Sequence, residues 1–155
     1  MTINISNFQN TEGKIEKAIN EATKMLISSN IRSSKLDSEL LMSKVLDKSR
    51  EFIILNSNYE ISKKSLDIFR KLVTQRSLGR PIAYILGKKE FWNLEFLINE
   101  NVLVPRPDTE IIIEQVLKLS KNKKGFKILD IGVGSGCILL TVLNEKKDFK
   151  GVGVD

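Results

Sequence analysis

Apolar residues recur every third or fourth position through the first half of the chain. In the second half they alternate or gather in short unbroken runs. Ile15, Ala18, Ile19, Ala22 and Leu26 fall on one face of a helix predicted from Glu12 over residues 12–28. A second helix is predicted after Ser34, whose hydroxyl can cap it with Asp37 three residues on, and Leu36, Leu40, Leu41 and Val45 form its stripe. The short run at residues 52–55 fits helix or strand equally. Another helix starts near Ser62, carries Leu66, Phe69, Leu72 and Val73 on one face, and stops at Gly79 before Pro81. Short helices with one apolar stripe each must pack on one another, which predicts a small helical bundle.

The pattern changes at Pro81. Pro81-Ile-Ala-Tyr-Ile-Leu-Gly87 is a compact apolar run bounded by proline and glycine. Glu90-Phe-Trp92 and Glu95-Phe-Leu-Ile98 flank Asn93-Leu94, the pattern of a hairpin. In Val102-Leu-Val-Pro-Arg-Pro-Asp-Thr-Glu110 two prolines forbid a helix and hold the backbone extended. Asp108 is then placed to cap a helix through Ile112, Val116 and Leu119. After a polar, basic linker at residues 120–125 come a strand (126–131), a glycine turn (132–136), an apolar helix (137–143) and a second strand (151–155). That order opens a parallel α/β sheet. No internal repeat or low-complexity tract interrupts it.

Composition narrows the chemistry. The chain has 155 residues, 41% of them hydrophobic and 28% charged, which is enough for one domain or two small ones. No apolar run approaches the roughly 20 residues of a membrane span, and the start, Met1-Thr-Ile-Asn-Ile-Ser6, lacks a signal-peptide layout. One cysteine, Cys137, allows no internal disulfide and suits a reducing cytoplasm. The absence of histidine removes Ser-His-Asp and Cys-His catalysis and the common His-containing zinc sites from what this chain can do alone. No metal site is expected. The net charge of +6 divides into +5 up to Arg80 and +1 after it, but the lysines are scattered, so no direct nucleic-acid binding is expected.

The glycine turn carries the candidate chemistry. Gly132, Gly134 and Gly136 follow a strand directly, where glycine lets the main chain turn tightly and lets a ligand approach it. The pattern is G-x-G-x-G, with Cys137 where a dinucleotide fingerprint would place its last glycine. Asp130 lies just before the turn, at the carboxyl end of the first strand, where ligands of open sheets bind. Asp155 ends the second, placed to accept hydrogen bonds from the ribose hydroxyls of an adenosine. Either aspartate could instead be a solvated loop residue. Phe91 and Trp92 suit interdomain packing better than substrate contact, and Cys137 suits a buried core position.

Five segments together resemble one family: Asp37-Ser-Glu-Leu-Leu41, Gly79-Arg-Pro-Ile-Ala-Tyr-Ile-Leu-Gly87, Glu90-Phe-Trp92, Val104-Pro-Arg-Pro-Asp-Thr-Glu110 and Ile128-Leu-Asp-Ile-Gly-Val-Gly-Ser-Gly136. The chain resembles the N-terminal half of the HemK/PrmC family, which uses S-adenosyl-L-methionine to methylate the glutamine of bacterial peptide chain release factors. The resemblance implies a cofactor site of Asp130, Gly132, Val133, Gly134, Ser135, Gly136 and Asp155. It places Arg106, Asp108, Thr109 and Glu110 near the substrate, although a proline-braced helix cap, with Arg106 paired to an acid, explains that segment as well.

The implied fold class is α/β: a helical docking domain (1–80), a linker with a β-hairpin (81–107), and an incomplete class I, Rossmann-like domain (108–155) truncated after its second strand. The family's Asn-Pro-Pro-Tyr signature does not occur in these residues, so no catalytic residue is assigned and the chain alone is expected to be inactive. A cytoplasmic monomer with a release factor as its partner, and no membrane contact, is the expectation. Two other readings stay open: a nucleic-acid amino-methyltransferase, and a non-catalytic module that docks on a release factor or ribosome.

Overall fold

Helix α1 (Ile15–Ser28) forms on its helical apolar repeat, and Ile15, Ala18, Ile19, Ala22 and Leu26 are all buried. The computed structural model describes residues 13–155. Glu12, the predicted start of this helix, and the Met1–Ser6 segment lie outside the described residues.

Helix α2 (Ser34–Leu46) departs from its predicted stripe. Leu41 and Met42 are buried, but Leu36 is 42% exposed and Leu40 and Val45 are half-buried. Its inward face carries Ser34, Asp37, Ser38 and Glu39 instead. The cap moves by one residue. Ser33 takes the N-cap position and donates its hydroxyl to Asp37 Oδ2 at 2.9 Å, while the Ser34 hydroxyl donates back to the Ile31 carbonyl.

Two arginines make this polar face tolerable. Arg76 Nε donates to Asp37 Oδ2 at 2.7 Å, and Arg76 Nη1 donates to the Arg80 carbonyl at 3.0 Å. Arg50 Nε and Nη2 each lie 2.8 Å from Glu39 Oε2. Taking a carboxylate out of water costs several kcal/mol unless a cation and further donors replace the solvent. Asp37, 2% exposed, has both a guanidinium and a hydroxyl.

Residues 52–55 are helical, within α3 (Arg50–Leu55). The Ser49 hydroxyl caps that helix by accepting from the Phe52 amide at 3.2 Å. A backbone hydrogen bond and the Ser49 hydroxyl hold the Glu51 carboxyl below its ordinary value. In α4 (Lys63–Ser77) the Ser62 hydroxyl accepts from the Ser65 amide, and Leu66, Phe69 and Val73 are buried. Gly79, at φ +91°, follows its end. The run 81–87 yields a further short helix, α5 (Ile82–Leu86), whose last carbonyl accepts from Lys44 Nζ at 2.9 Å. Ile85 joins the core cluster of α1–α4, and the first compact unit extends to Leu86.

The second unit is Gly87–Asp155. Strands β1 (Lys88–Phe91) and β2 (Leu94–Leu97) pair antiparallel with Phe91 opposite Leu94. The turn is therefore Trp92–Asn93, one residue earlier than Asn93–Leu94. Both turn residues have positive φ (+50° and +60°), as a two-residue hairpin with the right strand twist requires. Phe91 and Phe96 are buried and meet edge to face, 6.3 Å between centroids.

Asp108 is not the cap of the following helix. The prolines wind residues Pro107–Thr109 into a 3₁₀ turn, and α6 (Glu110–Leu119) starts from it without a side-chain cap. Strand β3 (Lys127–Ile131), helix α7 (Cys137–Glu145) and strand β4 (Lys150–Val154) then form a parallel βαβ unit, in register from Lys127↔Lys150 to Ile131↔Val154. The described residues thus form an α/β structure of seven α-helices and two two-stranded sheets. Among them no helix is long and apolar enough to cross a membrane.

Removing one half of the buried Asp37–Arg76 pair leaves a carboxylate without its cation. Arg76→Met should lower unfolding free energy by roughly 3–5 kcal/mol, and Asp37→Leu/Arg76→Met should recover most of that loss. Urea unfolding followed by helical circular dichroism reads both. A double variant no more stable than the single one would refute the assignment.

Candidate functional site

The end of β3 runs straight into the glycine turn. The Gly132 and Val133 amides both donate to the Val154 carbonyl, at 2.8 and 3.1 Å, so the turn is pinned to the end of β4. Asp155 is the next residue, and this pinning brings it beside the turn. The Gly136 amide closes the loop onto the Val133 carbonyl at 2.8 Å. Gly132, Gly134 and Gly136 all have positive φ, and a Cβ on Gly132 or Gly134 would project into open space. Their freedom of backbone is therefore used, and the space beside two of them is empty.

Polar groups lie in the turn and at the strand end before it. The Gly134 and Ser135 amides have no acceptor within the described residues. Asp130 Oδ2 is buried, with no hydrogen-bond partner among the described residues. Buried polar atoms of native proteins nearly always find a partner, so this oxygen is poised for one supplied from outside the chain. The exposed Asp155 adds a second carboxylate. Charge and unused amides together suit a polar ligand with both a cationic group and hydroxyls. Cys137, the first residue of α7, is buried.

The proline-rich segment is organised around something else. The Glu110 carboxylate accepts the backbone N–H of Trp92 at 3.0 Å, within the hairpin turn. The indole Nε1 of Trp92 donates to Glu145 Oε1, also at 3.0 Å, at the far end of α7. A non-glycine residue in the left-handed region costs about 1–3 kcal/mol. A charged acceptor on the Trp92 amide offsets part of that. Arg106 and Asp108 are exposed and Thr109 is half-buried. Among the described residues Arg106 is in no salt bridge, so the acid that would pair with it in a purely structural cap is not there. Among the described residues no hydrogen bond joins Arg106, Asp108, Thr109 or Glu110 to the glycine turn.

Two positions that shape the site were missed from sequence. A Cβ on Gly153 would come within 2.6 Å of Val133 Cγ2, and one on Gly151 within 2.5 Å of Leu139 Cδ1. Both glycines let α7 and the turn lie close against β4. The available signal was two glycines inside one short strand, which marks close approach of another element.

Gly153→Ala should therefore act on the turn through Val133. The expected result is a loss of about 1–3 kcal/mol from overpacking, with amide chemical-shift changes concentrated at residues 132–136. Unperturbed resonances there would show that the strand yields instead of the turn.

Residues 17–87 match the family model of the PrmC N-terminal domain. A release factor glutamine methyltransferase from Buchnera aphidicola subsp. Schizaphis graminum is 41% identical over 128 residues, 82% of this chain and 46% of the relative. One from Clostridium botulinum is 43% identical over 118 residues (76% and 42%), and one from Caulobacter vibrioides 35% over 139 residues (90% and 48%). The chain spans about half the length of the curated relatives it matches.

Proposed function

We propose that this chain, a homologue of release factor glutamine methyltransferases whose residues 17–87 belong to the PrmC N-terminal domain family, is the docking and cofactor-receiving part of a protein glutamine N5-methyltransferase. The reading rests on one observation above all: the unpartnered Asp130 oxygen beside a glycine turn with unused amides. In this reading residues 1–80 dock the release factor and 81–107 link the two parts. Residues 108–155 begin a class I, Rossmann-like domain. A release factor as substrate would put the site of action in the cytoplasm.

S-adenosyl-L-methionine fits the groups present. Asp130 would face its ammonium group, directly or through water, and the residues 132–136 would cradle its methionine part. Asp155 would hold the ribose hydroxyls. When bound, that cofactor supplies a methyl group activated on a sulfonium. The chain's own task is then to orient it and to keep the turn open through the Val154 carbonyl. Arg106 and Asp108, exposed at the 3₁₀ turn, and Thr109 beside them would line the approach of the acceptor amide. Glu110 would position that segment by gripping the hairpin turn.

An amide nitrogen is a poor nucleophile because its lone pair is delocalised into the carbonyl. Methylating it needs alignment and hydrogen-bond acceptors on the amide hydrogens. The family's Asn-Pro-Pro-Tyr segment supplies those acceptors and is not among these 155 residues. By themselves these residues are therefore proposed to give no turnover with labelled cofactor and a release factor.

Asp155 tests the assignment in a protein extended to the length of its relatives. Hydrogen bonds to a charged partner contribute about 1.5–3 kcal/mol each. Water replaces part of this at a cleft mouth, so Asp155→Ala should weaken cofactor binding roughly 10- to 100-fold, and Asp155→Asn less. Release-factor affinity should change little. Calorimetric titration of both ligands is the measurement, and undiminished cofactor affinity in Asp155→Ala would overturn the ribose assignment.

A further inference from the structure

The second unit carries 11 basic and 10 acidic residues, a nearly neutral total that hides a sharp separation. In a parallel βαβ unit the C-terminal ends of the preceding and crossing helices lie at the amino ends of the strands. Here that pole collects Lys118, Lys121, Lys123, Lys124, Lys127, Lys146, Lys147 and Lys150, eight of the unit's eleven basic residues. Its segments are bound together: the Lys150 amide donates to the Phe126 carbonyl, the Gly125 amide to Asp148 Oδ2, and Lys146 Nζ to the Ser120 carbonyl. The acids nearby are Glu145 and Asp148, and each already accepts a hydrogen bond, from Trp92 and Gly125. The candidate cofactor site lies at the other end of the same strands.

Apart from Lys146, which donates to the Ser120 carbonyl, and Lys147, which donates to Asn144 Oδ1, these lysines make no hydrogen bond that holds the fold among the described residues. Seven of the eight are exposed, and among the described residues none is in a salt bridge. Lys127 and Lys150 are direct partners in the strand register, an arrangement of like charges that destabilises a sheet. Helix macrodipoles favour cations at the last turns of α6 and α7. They do not account for Lys121, Lys124, Lys127 or Lys150. Amid these charges Phe126 is 42% exposed, with Lys123 Nζ 5.2 Å from its ring centroid and Phe149 packed behind it.

We infer that this lysine pole binds single-stranded nucleic acid, with the lysines on the phosphates and the Phe126 ring as a stacking platform for a base. A charged groove combined with an aromatic face is the arrangement that holds unpaired strands without sequence preference. A membrane surface fits less well, because interfacial binding calls for one helix with a continuous apolar face, and all of the charges here but Lys118 come from loops and strand starts. Along the sequence these lysines are scattered. In the folded unit the scattered lysines converge.

The test uses the 155-residue chain and end-labelled single strands of uridylate and thymidylate, each about 20 nucleotides long. Fluorescence anisotropy should show binding at about 50 mM salt that weakens steeply as salt rises. The variant carrying Lys121→Gln, Lys124→Gln, Lys127→Gln and Lys150→Gln should bind roughly 10- to 100-fold more weakly, with a log–log salt slope shallower by about 3. Arginine at the same four positions should restore binding. An equal loss of charge on the helical unit, Lys17→Gln, Lys63→Gln, Lys64→Gln and Lys71→Gln, should leave affinity within about threefold, since those phosphate contacts are absent. The proposal fails if wild type binds neither strand, if both glutamine variants lose affinity equally, or if the pole variant loses only binding to phosphatidylserine vesicles.

Discussion

The buried carboxylate of Asp37 is the constraint around which the helical unit is arranged. A carboxylate in an apolar interior must have its solvent replaced, and one guanidinium does most of that work here. Arg76 reaches from α4 to Asp37 on α2 and also donates to the Arg80 carbonyl beyond its own helix. One side chain therefore fixes the position of α2 against α4 and the path of the chain toward α5. Around it, Phe69, Val73, Leu41, Met42 and the α1 stripe supply the non-directional part of the stability. The ion pair adds direction, because it is satisfied in only one packing.

The second unit has an equivalent fixed point in the Val154 carbonyl. It takes two amides of the glycine turn and so joins the ends of both parallel strands to one loop. Gly151 and Gly153 allow α7 and Val133 to lie on β4 without collision. Helix α7 covers only one face of this sheet, and Leu129, Ile131, Val152 and Val154 stand exposed on the other. A carboxylate pair beside the turn at one end of the strands and a lysine pole at the other make the unit electrically polar. The geometry of a βαβ crossover is what separates them.

The hairpin shows how a motif can acquire a structural duty as well as a proposed functional one. Trp92 adopts a backbone conformation that suits glycine or asparagine better, and two carboxylates, of Glu110 and Glu145, hold it there. Pro-Arg-Pro-Asp-Thr-Glu is thus anchored at its last residue, while Arg106 and Asp108 remain exposed.

By itself the sequence determined the local elements wherever periodicity and backbone chemistry act at short range. The α1 and α4 stripes, the helix start near Ser62, the hairpin and the strand–glycine–helix order were all legible. So were Asp130 and Asp155 as strand-end carboxylates, because their places follow from the strand itself. Tertiary structure decided what depends on a distant partner. It turned Asp37 and Glu39 inward and left Leu36 outside, since Arg76 and Arg50 come from other helices. It moved the hairpin turn to Trp92–Asn93, where Glu110 could receive an amide 18 residues away. It also made glycine necessary at position 153 and gathered the lysines of five segments onto one pole. Propensity and spacing act between neighbours in the chain, whereas burial, charge pairing and close approach are settled only when the chain has folded.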